Sequence, residues 1–209
     1  DGGQAGDEAR VAAWQEAVAA FHLAVGYTLD PACVVMTGLP GTGKSTWARR
    51  LAPALRATVV RSDTERKRLA GLSPAARGGD ALYSDEITEK TYEAVVASGC
   101  RVLGAGGSVV LDSTAPTAAR RAQLLGVGGV GVVAWCKCAE ATTLVRLRAR
   151  ALAGTDVSDA DAGVYLALRE RYEAPGRAEP VIVLDCDDPA HGGVDRVLGL
   201  LACECPISE

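Results

Sequence analysis

Nine residues, Gly38-Leu39-Pro40-Gly41-Thr42-Gly43-Lys44-Ser45-Thr46, constrain this chain more than any other stretch. They fit the spacing G-x-x-x-x-G-K-[ST] in full. Glycines there let the backbone turn tightly and bring its N–H groups close to an anion. In such a loop Lys44 is expected to reach the β- and γ-phosphates of a nucleotide, and the Ser45 hydroxyl to sit on Mg²⁺. A helix opening near Gly43 would aim its positive end at the same phosphates.

The flanks support that reading. Cys33-Val34-Val35-Met36-Thr37 is a short apolar run suited to a buried parallel strand. After the loop, Trp47, Leu51 and Leu55 recur at helical spacing. The alternative is a glycine-rich turn with a chance lysine, which would need neither flank. Gly126-Val127-Gly128-Gly129-Val130-Gly131 also fits a glycine fingerprint, G-x-G-x-x-G, but its context is reversed. It leaves a helix and enters a strand, so it reads as a connector.

A length of 209 residues allows one α/β domain with an extension. The formal net charge of −4 does not favour a polyanionic duplex as partner, and 4% aromatic content gives little for base stacking. Neither the spacing of the seven cysteines nor the two histidines, His22 and His191, makes a zinc site. Several thiols sit in apolar runs, where cysteine behaves as a small hydrophobe, as expected of a reducing, cytoplasmic setting. No run is long and apolar enough to span a membrane, and no signal peptide is visible. The chain starts at Asp1 rather than Met, which leaves open a leader or a preceding domain.

Along the chain, a helix is expected from Asp7 to about Val25, with Val11, Trp14, Val18, Phe21 and Val25 on one face. Residues 1–30 thus form an N-terminal helical extension, and residues 31–209 the nucleotide domain. Ala57 to Arg61 reads as a second strand, and Ser62 as the N-cap of a basic helix through Leu69. Gly71 to Asp80 reads as a loop, and Asp85 to Leu103 as a long helix with Ile87, Thr91, Val95 and Val102 on one side. Ser108 to Asp112 is a third strand, Ala118 to Leu125 a short helix and Val130 to Cys138 a fourth strand. An arginine-rich helix over Ala139–Ala153, a break at Gly154–Val157 and a helix from Ser158 to Glu173 follow. Pro180 to Asp185 is a fifth strand and Val194 to Leu201 a last helix. The alternation predicts a mostly parallel sheet covered on both faces, with ligands beyond the strand C-termini.

Four places at that edge carry chemistry. Asp63, just after the second strand, can accept the proton of an attacking hydroxyl, or can simply be the acid that a helix N-terminus favours. Arg66 shares its helix face and can bind an anionic part of an acceptor, while Lys67 and Arg68 are expected to be solvated. Asp112 ends an apolar strand, the Walker B position. It can hold Mg²⁺ through water or hydrogen-bond the acceptor. Arg146 and Arg150 lie four apart on one helix face, with Arg148 turned away, before a glycine break. That arrangement suits a lid around residues 146–158 closing on ATP.

Residues 33 to about 200 resemble P-loop small-molecule kinases of the nucleoside-monophosphate-kinase-like type. The stretches that carry the resemblance are Gly38 to Thr46, Arg61 to Leu69, Tyr83-Ser84 with Thr91-Tyr92, Val109 to Thr114, Arg146 to Arg150, and Ser158-Asp159-Ala160. They look most like the ATP-binding predicted-kinase domain fused behind aminoglycoside-phosphotransferase-like domains in some bacterial proteins. The resemblance implies a three-layer P-loop NTPase fold, with a five-stranded parallel sheet of order 2-3-1-4-5. It also implies ATP- and Mg²⁺-dependent phosphotransfer, with Asp63 as general base and Arg150 assisting transfer. Arg146 would bind the nucleotide, and an arginine after the Asp112 turn, Arg120, the acceptor. An upstream fused domain would be a partner, and nucleic acid would enter only as a 5′-hydroxyl acceptor.

The competing function is a nucleotide-controlled ATPase or binding module without a small-molecule acceptor. A GTPase would need an Asn-Lys-x-Asp base-reading motif, which the sequence lacks.

Overall fold

The computed structural model describes residues 2–73, 76, 80–153, 162–188 and 192–204. A five-stranded sheet in the order β2-β3-β1-β4-β5 forms its middle layer. The strands are β1 (Ala32–Thr37), β2 (Ala57–Arg61), β3 (Ser108–Asp112), β4 (Val130–Lys137) and β5 (Val181–Asp185), and every pairing is parallel. This is the expected order 2-3-1-4-5 of a P-loop NTPase kinase fold.

β1 is central because all six of its residues are buried. Its alternating side chains feed two cores. Val34 and Met36 pack with Leu51 and Leu55 of α2 (Lys44–Leu55) and Leu198 and Leu201 of α8 (Gly193–Glu204). Cys33 and Val35 pack on the other face with Tyr92 and Val95 of α4 (Asp85–Gly104) and Leu124 of α5 (Ala118–Leu125). Each fully buried aliphatic side chain contributes about 1.5–3 kcal/mol relative to exposure. Cys33, Cys136 and Cys186 are buried free thiols in these layers, and burial pushes the Cys33 thiol up to about 12. Among the described residues no helix is long and apolar enough to cross a membrane.

The first helix, α1, runs over Gly2–Gly26. Its predicted apolar face is largely in solvent, with Val11 56%, Trp14 71% and Phe21 65% exposed. The reason is that α1 docks by its C-terminal end. Val25 packs on the core, His22 Nε2 lies 2.6 Å from Asp195 Oδ1, and Arg56 sits 4.2 Å over the Tyr27 ring just beyond the helix.

Two local expectations change. Ser62 is not an N-cap: α3 (Ser62–Leu69) starts on it, and Arg61, in extended conformation, occupies the cap without a side-chain bond. Lys67 is buried at 2% exposure rather than solvated, because α3 packs along α4. Arg68 is exposed and pairs with Glu65 at 2.8 Å. The connector at residues 126–131 does lead from α5 into β4. Gly129, at φ 73°, could carry no side chain, since a Cβ would meet the Pro31 carbonyl at 2.6 Å. The arginine-rich helix is α6 (Glu140–Ala153), and the next described helix is α7 (Ala162–Arg171). The predicted break at 154–157 and Ser158-Asp159-Ala160 lie outside the described residues.

Candidate active site

The site is built on the turn between β1 and α2. Thr37 ends β1, and its hydroxyl lies 2.9 Å from the Thr114 carbonyl and 3.0 Å from that of Ala115. The Tyr172 hydroxyl, 3.0 Å from Thr37 Oγ1, closes the group. Burial pushes the Tyr172 phenol up to about 12, so it stays protonated and can donate. The root of the glycine loop is thereby tied to the turn after β3 and to the segment after α7.

Gly38 sits at φ 143°, where a Cβ would lie 2.6 Å from the Cys136 carbonyl, so the loop needs glycine at its first bend. Gly43, at φ 99°, caps α2 in the left-handed region. Thr42 Oγ1 donates to the Leu39 carbonyl at 2.8 Å, and Lys44 Nζ donates to the same oxygen at 2.8 Å. Burial pushes the Lys44 ammonium below its ordinary value, opposed by the negative charges of Asp112 and Asp63. A half-buried cation folded over its own loop beside a helix N-terminus is poised for a polyanion.

A cleft of about 620 Å³ opens over this loop. It is lined by Pro40, Gly41, Gly43, Lys44, Ser45 and Thr46 together with Asp63, Arg66, Asp112, Arg120, Arg146 and Arg150. Asp63 stands half-buried in the first turn of α3, at the cleft wall. This placement serves both a base and a helix N-terminal acid.

Arg66 is 8% exposed. Its Nη1 donates to the Leu82 carbonyl at 2.9 Å and to Thr88 Oγ1 at 3.2 Å, and the guanidinium lies 4.9 Å over the Tyr83 ring. Its Nε is buried without a partner. Arg120 pairs with both carboxylate oxygens of Glu89 and lies 4.1 Å over the Tyr92 ring. Arg146 donates from Nη2 to the Cys186 carbonyl at 2.8 Å and from Nη1 to Cys138 Sγ at 3.3 Å, which holds it at the β4–β5 edge. Arg150 is half-buried one turn further on, and Arg148 points to solvent.

Sequence reasoning missed Arg61. Its Nε donates to Asp112 Oδ2 at 3.3 Å and its Nη2 to Ser45 Oγ at 3.4 Å. The signal was there in outline, because a cation closing a strand beside the phosphate loop faces the same edge as the two acids. The Ser45 hydroxyl and the Asp112 carboxylate therefore converge on one cationic group. Two oxygen donors of this kind fit Mg²⁺. Among the described residues no group of three or more His, Cys, Asp or Glu side chains could hold a metal ion. A Mg²⁺ ion here would thus complete its shell with phosphate oxygens and water, as is usual at nucleotide sites. Tyr83, Asp85, Thr88 and Tyr92 also line the cleft.

Comparisons with known proteins bear on the family and the fold. An uncharacterized protein of Mycobacterium tuberculosis is 33% identical over 140 residues, 64% of this chain and 28% of that protein. The match thus spans less than a third of the mycobacterial relative. A shikimate kinase of Corynebacterium glutamicum is 42% identical over 84 residues, 39% of this chain and 49% of that enzyme. Among solved structures, the Mycobacterium tuberculosis APS kinase in complex with AMPPNP and APS superposes with a TM-score of 0.59 at 22% identity. That superposition covers 83% of this chain and 99% of that one, and at this identity the likeness speaks for the fold. A model of the AAA domain family matches residues 33–175, more than half of the chain, and the protein therefore belongs to that family.

Proposed function

We propose that the protein is a kinase that transfers the γ-phosphate of ATP to a hydroxyl of a small-molecule or nucleotide-like acceptor, with Mg²⁺. The observation that carries this reading is the convergence of Lys44, Asp63, Asp112 and Arg150 on one cleft beyond the strand C-termini. Phosphoryl transfer needs little covalent chemistry from the protein. It needs the phosphates cradled, a hydroxyl held in line, and charge neutralised as it moves.

Each residue takes one of those tasks. The backbone of residues 38–46 and Lys44 hold the phosphates, and Arg146 lies beside the nucleotide. Ser45 and Asp112 would hold Mg²⁺, which when bound neutralises phosphate charge. Asp63 accepts the proton of the attacking hydroxyl. Arg66 and Arg120, on the side of Tyr83 and Tyr92, position the acceptor. Arg150 stabilises the transferred group. In this reading residues 31–209 form the kinase domain, and residues 1–30 an N-terminal helical extension.

Lys44→Ala tests the reading. Charge-assisted hydrogen bonds contribute about 1.5–3 kcal/mol net, so affinity for a fluorescent ATP analogue should fall roughly 10–150-fold. Phosphotransfer should be abolished, with circular dichroism unchanged. Near-normal ATP binding and turnover in this variant would remove the phosphate-loop assignment. The acceptor is sought by screening hydroxyl compounds, including 5′-hydroxyl nucleic acid ends, for acceptor-dependent ADP release. Turnover that no acceptor raises would instead favour a nucleotide-controlled binding module.

A further inference from the structure

Arg61 is held where it is by the sheet itself. In the β2–β3 register Arg61 and Asp112 are direct neighbours across the strands. Ser45 enters from the first turn of α2. The guanidinium bridges the two, 3.3 Å from Asp112 Oδ2 and 3.4 Å from Ser45 Oγ. The Asp112 side chain is 5% exposed, so its charge has little water to screen it, while that of Arg61 is 25% exposed and opens onto the cleft. A buried carboxylate without a counter-ion is costly, and this strand pair supplies one.

The same two oxygens are the donors that fit a divalent cation. A guanidinium and a divalent ion held at the same oxygen pair repel each other at this range, so occupancy by one disfavours the other. Both bonds are at the long end of hydrogen-bond geometry, as expected of a partner that can be exchanged.

We propose that Arg61 is a resident cation of the Ser45–Asp112 pair. It neutralises Asp112 and keeps the two oxygens together in the metal-free protein. A divalent ion takes its place, and Arg61 then turns into the cleft that it already lines. The proposal rests on the kinase reading for the identity of the site. Arg61 is in these terms a positioning residue. It has two consequences that an ordinary strand-end ion pair would not have. Nucleotide can bind without a divalent ion, because a cation is already in place. The nucleotide-free protein binds divalent ions more weakly than the bare oxygen pair would.

The test uses the full chain with Arg61→Gln and Arg61→Lys. Two readouts are taken: Mn²⁺ binding to nucleotide-free protein by electron paramagnetic resonance, and binding of a fluorescent ATP analogue with Mg²⁺ or with a chelator. Removing a charge-assisted partner should tighten Mn²⁺ binding about tenfold in Arg61→Gln and weaken metal-free nucleotide binding about tenfold. Nucleotide affinity with Mg²⁺ should stay within about twofold, since the divalent ion has then replaced the guanidinium. Arg61→Lys keeps one charge but loses the fork, so its Mn²⁺ gain should be smaller, about threefold. Adding Asp112→Asn to Arg61→Gln should erase the Mn²⁺ gain.

Unchanged Mn²⁺ affinity in both variants would overturn the proposal. So would an equal loss of nucleotide affinity with and without Mg²⁺, which would make Arg61 a plain phosphate ligand. If the unsubstituted protein binds the ATP analogue under neither condition, the phosphate-loop reading fails, while the Mn²⁺ arm still decides the role of Arg61.

Discussion

Asp63→Asn is expected to lower kcat by about 10²–10⁴-fold, the usual contribution of a general base, with ATP affinity little changed. An amide keeps the shape of the carboxylate and can still hydrogen-bond, but it cannot take the proton of an attacking hydroxyl. In the proposed reaction the side chain is needed only while the acceptor is attacked, so its loss should not reach a nucleotide held by the loop at residues 38–46. Arg150→Ala should behave in parallel and lower kcat more than it weakens ATP binding, because its contact strengthens as charge moves to the transferred group. Arg146 is fastened to the Cys186 carbonyl at the β4–β5 edge, so Arg146→Ala should weaken ATP binding instead. Single-turnover kinetics with the acceptor, beside equilibrium nucleotide binding, separates these effects. If Asp63→Asn lowers thermal stability and leaves kcat intact, Asp63 is the acid that favours the α3 N-terminus, and another group must serve as base.

How far this site could be read in advance depended on whether neighbours in space were neighbours in sequence. The glycine loop is contiguous, so its pattern carried the strand before it and the helix after it. The sheet order followed from the same source together with the helix–strand alternation. Contacts set by register or by packing had no such signature. Arg61 meets Asp112 because β2 lies beside β3 in one particular register, and a shift of one residue would have sent the guanidinium to the other face. Lys67 is buried because α3 lies along α4, which no property of the basic run Arg66-Lys67-Arg68 announces. The stripe Val11, Trp14, Phe21 on α1 satisfies helical periodicity and still faces solvent, because only the end of that helix reaches the domain. Periodicity reports which residues share a face, and says nothing of whether another element covers it.

Arg120 and Arg121 show the same limit at its sharpest. Adjacent on α5, they are turned about 100° apart by helix geometry, and which of them faces the cleft depends on where the helix begins. Thr117 decides it by accepting a bond from the Arg120 N–H as the N-cap. Arg120 then meets Tyr92 and Glu89 at the cleft, and Arg121 is driven inward to full burial.

Glu179→Ala should therefore be among the most destabilising single substitutions in this chain. Arg121 donates from Nε and Nη2 to the two Glu179 oxygens, at 2.6 and 2.9 Å, and from Nη1 to the carbonyls of Glu173 and Ala115. Removing the carboxylate strands a buried guanidinium, which typically costs about 3–5 kcal/mol. For a domain of this size that is a fall in Tm of roughly 6–20 °C. The Arg121→Met/Glu179→Ala double variant should recover much of the loss, since neither charge is then left unpaired.

Acid separates the ion pair from simple packing. Arg121 holds the Glu179 carboxyl below the usual carboxylate range. Its contribution is thus present above the ordinary glutamate value of about 4.3 and is lost as pH falls through the lowered one. The gap between the native chain and Glu179→Ala should narrow below about pH 4. The site should register the loss as well. Ala115, at φ 40°, sits in a strained turn held by Arg121, by the Tyr92 hydroxyl and by Thr37, and Thr37 is the root of the glycine loop. Freeing Arg121 from Glu179 loosens that turn and the Tyr172 contact behind it, so ATP affinity should fall together with stability. A destabilisation under about 1 kcal/mol, typical of exposed pairs, would mean that water screens this pair and that the turn is held by Tyr92 and Thr37 without it.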